Sequence, residues 1–148
     1  MIILAGILTL NTTLAYADSA SGTYTTLTNL QSLPSIGNGS PNTIDVTVLT
    51  DIAHTYIKGL QDNGGSAFEF GFLYDGTLPS GGGSGTPDAQ FLTLNSFGET
   101  PKYWKVTTPD GLTATFHGAC SVALDEIAVD DAIHYTLSVV VDTPVVYA

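Results

Sequence analysis

The stretch Tyr103-Trp-Lys-Val-Thr-Thr-Pro-Asp-Gly-Leu-Thr-Ala-Thr-Phe116 holds two alternating runs, Tyr103–Thr107 and Leu112–Phe116, joined by Thr108-Pro109-Asp110-Gly111. Pro109 presets φ, Asp110 favours the turn and Gly111 supplies a positive φ. Successive side chains of a strand point to opposite faces, so the stretch predicts an antiparallel hairpin with one buried and one wet face.

The same period of two runs outward from it. Ile44, Val46 and Val48 alternate with Asp45 and Thr47; Phe68, Phe70, Phe72 and Tyr74 share a face opposite Glu69 and Gly71. A strand near Ala119–Leu124 follows the hairpin. A long one over Ala132–Val141 puts Ile133, Tyr135, Leu137, Val139 and Val141 on one side and His134, Thr136, Ser138 and Val140 on the other. Alternation of this kind marks half-buried strands, and it names Phe68, Phe70, Phe72, Ile133, Tyr135 and Leu137 as core. One helix is expected over 87–97, with Thr86 as N-cap, Pro87 in the first helical position, Asp88 complementing the dipole and Phe91, Leu94 and Phe97 at helical spacing. Leu78–Gly85 reads as a flexible Gly/Ser loop, Leu33–Gly39 as an irregular stretch, and Asp51–Gly59 as holding a short helical turn. The expected fold is mainly β (α+β): an antiparallel β-sandwich or barrel flanked by one helix, in a single domain over 1–148.

The 148 residues include fourteen acids against three bases, Lys58, Lys102 and Lys105, with no arginine, for a formal net charge of −11. Phosphate gripping depends on Lys and Arg, so a nucleic-acid binder of that kind is excluded. Only 11% of residues are charged and 43% are hydrophobic, which is a globular composition and not that of an acidic tail. Cys120 is the sole cysteine, so no internal disulfide and no cysteine zinc cluster can form.

Met1–Leu10 is almost wholly apolar, and Ala15-Tyr16-Ala17 has the look of a signal-peptidase site. No Lys or Arg precedes the apolar run, and Gly6, Thr9 and Asn11 interrupt it, against the pattern of a secretory signal. The run is half the roughly 20 residues needed to cross a bilayer. Thr12–Ala17 is therefore read as an opening strand with Leu14 and Tyr16 on one face.

Catalytic and metal motifs are sparse. His54, His117 and His134 lack metal-ligand spacing, no Gly-x-Ser-x-Gly occurs, and Gly81–Gly85 lacks the Gly-Lys-Ser/Thr of a phosphate loop. Asp125, Glu126, Asp130 and Asp131 do not follow the EF-hand pattern, and Cys120 sits inside an alternating strand. The expectation is a protein that is not an enzyme, with no cofactor and no metal.

Taken together, the opening Thr-Thr-Leu-Ala-Tyr-Ala17, Leu30-Gln-Ser-Leu-Pro-Ser-Ile-Gly37, Ile44-Asp-Val-Thr-Val-Leu-Thr-Asp51, Tyr56-Ile-Lys-Gly-Leu-Gln-Asp62, Phe68-Glu-Phe70 with Leu73-Tyr-Asp75, the Tyr103–Gly111 stretch and Val129-Asp-Asp-Ala-Ile-His-Tyr-Thr-Leu137 resemble, in order and spacing, the major tail tube proteins of long-tailed (siphovirus-type) bacteriophages and related prophages. Asp125-Glu-Ile-Ala128 departs from the family's Asp-Gly-Ala-Gly, and Gly81–Gly85 looks like a local insertion.

The resemblance implies a virion protein, made in the host cytoplasm, that assembles into hexameric rings stacked as a tube. Its implied partners are further copies of itself, the tape measure protein inside, and tail terminator and tip proteins at the ends. Double-stranded DNA would pass through without specific binding, and no membrane is involved. The resemblance also implies a ring-stacking loop around 33–62, with Leu33, Pro34, Ser35, Ile36, Gly37, Asn38, Gly39 and Pro41 as candidate contacts. Because Ser35–Pro41 is rich in Gly, Ser, Asn and Pro, a deletion there is expected to block stacking while leaving the subunit folded. A wall that lets DNA slide should lack bases, which makes Glu69, His134, Thr136 and Ser138 the candidate lumen lining. The alternative is a secreted or surface-displayed β-sandwich binding or adhesion module using exposed aromatics such as Trp104 and Tyr103.

Overall fold

In the computed structural model the Thr108–Gly111 turn closes as expected. Gly111 has φ +97, its N–H donates to the Thr108 carbonyl at 3.0 Å, and Thr108 N–H donates to the Leu112 carbonyl at 2.9 Å. The structure describes residues 11–38, 41–61, 67–79, 81 and 83–148. The apolar run Met1–Leu10 and the loop position Gly39 lie outside them.

The elements in chain order are β1 (Thr13–Ala17), β2 (Thr25–Thr26), β3 (Leu30–Ser32), β4 (Pro41–Asp45), β5 (Tyr56–Gln61), β6 (Ala67–Leu73), α1 (Ala89–Ser96), β7 (Lys102–Thr107), β8 (Thr113–Leu124), β9 (His134–Val141) and β10 (Val146–Tyr147). The fold is mainly β, a curled antiparallel half-barrel with one helix. Its eight-stranded sheet runs β2-β1-β7-β8-β9-β6-β3, with β10 also on β8, while β4 and β5 form a separate two-stranded sheet. β1 pairs with β7 along its whole length, so Thr13–Ala17 is a sheet strand.

The 12-residue β8 organises the sheet and merges two runs that the sequence separates. β7 lies along it from Thr113 to Gly118, and β9 lies on the opposite side from Gly118 to Leu124. Past Val141 the chain bulges outward and returns as β10 beside Ala114 and Thr115, where Thr113 and Ala148 exchange both backbone hydrogen bonds. Gly118 is required at the crossover, because a Cβ there would sit 2.0 Å from the Val140 carbonyl oxygen. Its own carbonyl accepts from Trp104 Nε1 at 3.0 Å, which satisfies the one polar atom of a fully buried indole.

The inner face carries the core: Leu14, Phe68, Phe70, Phe72, Trp104, Val106, Phe116, Tyr135, Leu137 and Val139 are all buried. Each such large apolar side chain contributes roughly 1.5–3 kcal/mol on leaving water. Phe68 meets Phe116 edge-on at 5.2 Å, and Phe72 stacks on Tyr135 at 5.2 Å. Ile133 is a correction, since β9 begins at His134 and Ile133 stays exposed beyond the ladder.

The helix is shorter than 87–97 and is capped by Asp88, not Thr86. The Asp88 carboxylate accepts from Gln90 N at 2.9 Å, Phe91 N at 3.4 Å and Asp75 N at 2.9 Å. A start at Ala89 therefore satisfies donors on two segments with one buried acid. Thr86 instead exchanges backbone hydrogen bonds with Thr77, which closes the base of the Gly/Ser loop. Leu94 is buried, and Phe91 and Phe97 pack against the core, Phe91 on Tyr135 and Phe97 on Tyr16.

Two further expectations fail. Asp51–Gly59 contains no helix; its end is the start of β5. Ile44, Val46 and Val48 are exposed, because among the described residues the β4–β5 pair joins no strand of the large sheet.

Candidate assembly surfaces

The candidate lumen residues come together on the outer face of β6 and β9. Glu69 stands opposite Ser138, Gly71 opposite Thr136 and Leu73 opposite His134. Glu69 is exposed; His134, Thr136 and Ser138 are half-buried. Thr136 donates to Asp125 Oδ1 at 2.7 Å, His134 Nδ1 lies 2.6 Å from Gln31 Oε1, and its Nε2 lies 3.8 Å from Asp131. The surface is thus hydroxyls, carboxylates and an imidazole, with Thr136 and His134 tied to neighbouring side chains. Lys105 shares the outer face in register, opposite Thr115, but its ammonium lies over the Tyr24 ring at 4.1 Å.

The candidate inter-ring stretch divides in two. Its first half is fastened down: Leu33 and Ile36 pack on the core, and Asn38 donates to the Val145 carbonyl at 3.1 Å and accepts from Val145 N at 2.7 Å. The Tyr147 hydroxyl donates to the Ile36 carbonyl at 2.7 Å. The expectation that Ser35–Pro41 can be removed without cost to the subunit therefore conflicts with the structure, because these bonds anchor β10.

The second half is the β4–β5 hairpin. Every residue from Asn42 to Lys58 except Thr47 is exposed. Leu49 and Ile52 at the tip are fully exposed. The tip is nevertheless organised: Val48 N–H donates to Asp51 Oδ2 at 2.9 Å, and Thr55 N–H to the Thr47 hydroxyl at 2.8 Å. The Thr47 hydroxyl and N–H both donate to Asp45, which holds its carboxyl below the usual range.

The sheet ends in short partners. β2 pairs with β1 at Ala15 and Tyr16, with Leu27 N–H donating to the Leu14 carbonyl beyond it, and β3 pairs with β6 at Gly71 and Phe72, with Leu73 N–H donating to the Asn29 carbonyl. Among the described residues no other strand pairs with Ala67–Phe70 on that side. Open edges of this sort are where further strands add.

A third surface escaped sequence reasoning: a cleft of about 360 Å³ between the segment after β1 and the Asp142–Val145 bulge, with Tyr24, Tyr103 and His117 in its lining. Four separate stretches build it, and no local motif marks it. Trp104, offered as an exposed binding aromatic, is fully buried. Burial pushes the Cys120 thiol up from its ordinary value, as expected of a small core residue. The three histidines lie on different elements, and among the described residues no group of three or more His, Cys, Asp or Glu side chains is placed to hold a metal ion. No protein-family model matches the chain, and no curated protein sequence matches it.

Proposed function

We propose that this chain is a structural virion protein, the major subunit of a long-tailed phage tail tube, that polymerises as stacked hexameric rings into a conduit for DNA. The β4–β5 hairpin carries the reading: a preorganised arm that holds Leu49 and Ile52 entirely in water. Exposed apolar surface of this kind is a contact surface awaiting its partner. The sheet supports the reading from another side, since β1 and β6 are only partly covered at their edges, and head-to-tail copies can close such edges into a ring.

In this assembly the outer face with Glu69, His134, Thr136 and Ser138 lines the lumen, and tape measure, terminator and tip proteins contact the inside and the ends of the tube. On a wall of hydroxyls and carboxylates whose Lys105 ammonium is engaged over the Tyr24 ring, phosphates are held weakly and DNA slides. Negative-stain microscopy and sedimentation of concentrated protein test the proposal. Rings or tubes are expected, and a strictly monomeric solution at all salt concentrations counts against it.

A further inference from the structure

The outer cleft carries a chemistry of its own, built from Tyr103, Thr115 and His117 on the outer face of β7 and β8 and from the segments that flank them. His117 is clamped twice by the residue that opens the bulge: its Nδ1 lies 2.6 Å from Asp142 Oδ1, and its carbonyl accepts Asp142 N–H at 2.9 Å. With Nδ1 committed to the carboxylate, Nε2 is the ring nitrogen left to hydrogen-bond a ligand. The imidazole leans on Tyr103, ring centroids 4.5 Å apart. Tyr24 stands nearby in the lining with Lys105 over its ring, and burial together with the neighbouring Tyr103 pushes the Tyr24 phenol up from its usual value. Thr115 contributes a hydroxyl that already donates to the Val146 carbonyl, which leaves its lone pairs to accept; Pro144 adds an apolar wall.

We infer that this cleft binds a neutral hydroxylated ring, a pyranose unit of a glycan. Aromatic and proline surfaces accept the C–H faces of a sugar ring, while an oriented imidazole and phenols meet its hydroxyls. A cleft of about 360 Å³ falls in the range of small-molecule sites. A chain at −11 with Lys105 held over Tyr24 favours an uncharged ligand over an anionic one. The site needs one copy only, so it stands whether or not rings form.

Saturation-transfer NMR on the full chain tests it, with methyl α-glucopyranoside, methyl β-galactopyranoside and N-acetylglucosamine as probes and glycerol as the acyclic control. The method reads the small molecule and works on single copies or assemblies, so failure of the tube reading does not touch it. At least one pyranoside should take up saturation on its ring C–H protons and glycerol none, with loss of the signal in Tyr24→Leu. Tyr24 lies in the segment before β2, so this variant keeps the sheet, which circular dichroism verifies; His117→Phe should lose the signal as well. No transfer to any pyranoside, equal transfer to glycerol, or a signal surviving both substitutions overturns the site.

Discussion

Gln90 Nε2 donates to the Tyr135 hydroxyl at 2.8 Å, and the same side-chain amide pairs with the Thr28 backbone, accepting from its N–H at 2.8 Å and donating to its carbonyl at 2.9 Å. One side chain thereby joins the helix, β9 and the segment leading into β3. Tyr135 is fully buried, and that burial pushes its phenol up to about 12, with the Gln90 hydrogen bond pulling the other way.

The raised phenol makes stability fall with alkali. The unfolded chain ionises Tyr135 near its ordinary value of 10.0, while the native one holds the proton to about 12. The stabilisation is complete below pH 10 and is lost as pH rises through that window, by about 2–3 kcal/mol in all. Urea midpoints measured from pH 9 to 12 should fall steeply in the native protein and less in Tyr135→Phe. The variant should also lose about 1 kcal/mol at neutral pH through the broken Gln90 bond. An unchanged slope in the variant refutes this account.

Gly118→Ala should be severe. Its new Cβ meets the Val140 carbonyl oxygen at 2.0 Å, and backbone on the β8–β9 ladder cannot yield as a side chain can. A loss of about 3 kcal/mol or more is expected, or failure to fold. Gly83→Ala, which meets nothing within 4 Å, should leave thermal unfolding unchanged.

Asn38→Ala removes both bonds to Val145 and with them the hold on β10. Thermal or urea unfolding should show about 1–2 kcal/mol of destabilisation. A neutral result would return Ser35–Pro41 to the status of a dispensable loop.

The double variant Leu49→Ser, Ile52→Ser separates folding from assembly. Both side chains are wholly exposed, so the unfolding midpoint should stay within about 0.5 kcal/mol of the parent. Stacking should be abolished in sedimentation and micrographs. Tubes that form as before would remove the hairpin from the interface.

Alternation in the chain was enough to place Phe68, Phe70, Phe72, Tyr135 and Leu137 inside, to set Glu69, His134, Thr136 and Ser138 on the opposite face, and to locate the Pro109-Asp110-Gly111 turn. These are consequences of local geometry: a pleated strand sends neighbouring side chains to opposite sides, and only certain residues fit a tight turn. Periodicity says which side chains share a face and nothing about what covers that face. Ile44, Val46 and Val48 alternate as well as any core strand, yet tertiary structure leaves them in water because, among the described residues, β4 and β5 pair only with each other. The same limit explains Asp88, which caps the helix because Asp75 and Gln90 converge on it, and Ile133, which falls one residue outside the ladder. It also explains the cleft, where Tyr24, Tyr103, His117 and Asp142 meet only because β8 carries β7 on one side and the bulge after β9 on the other.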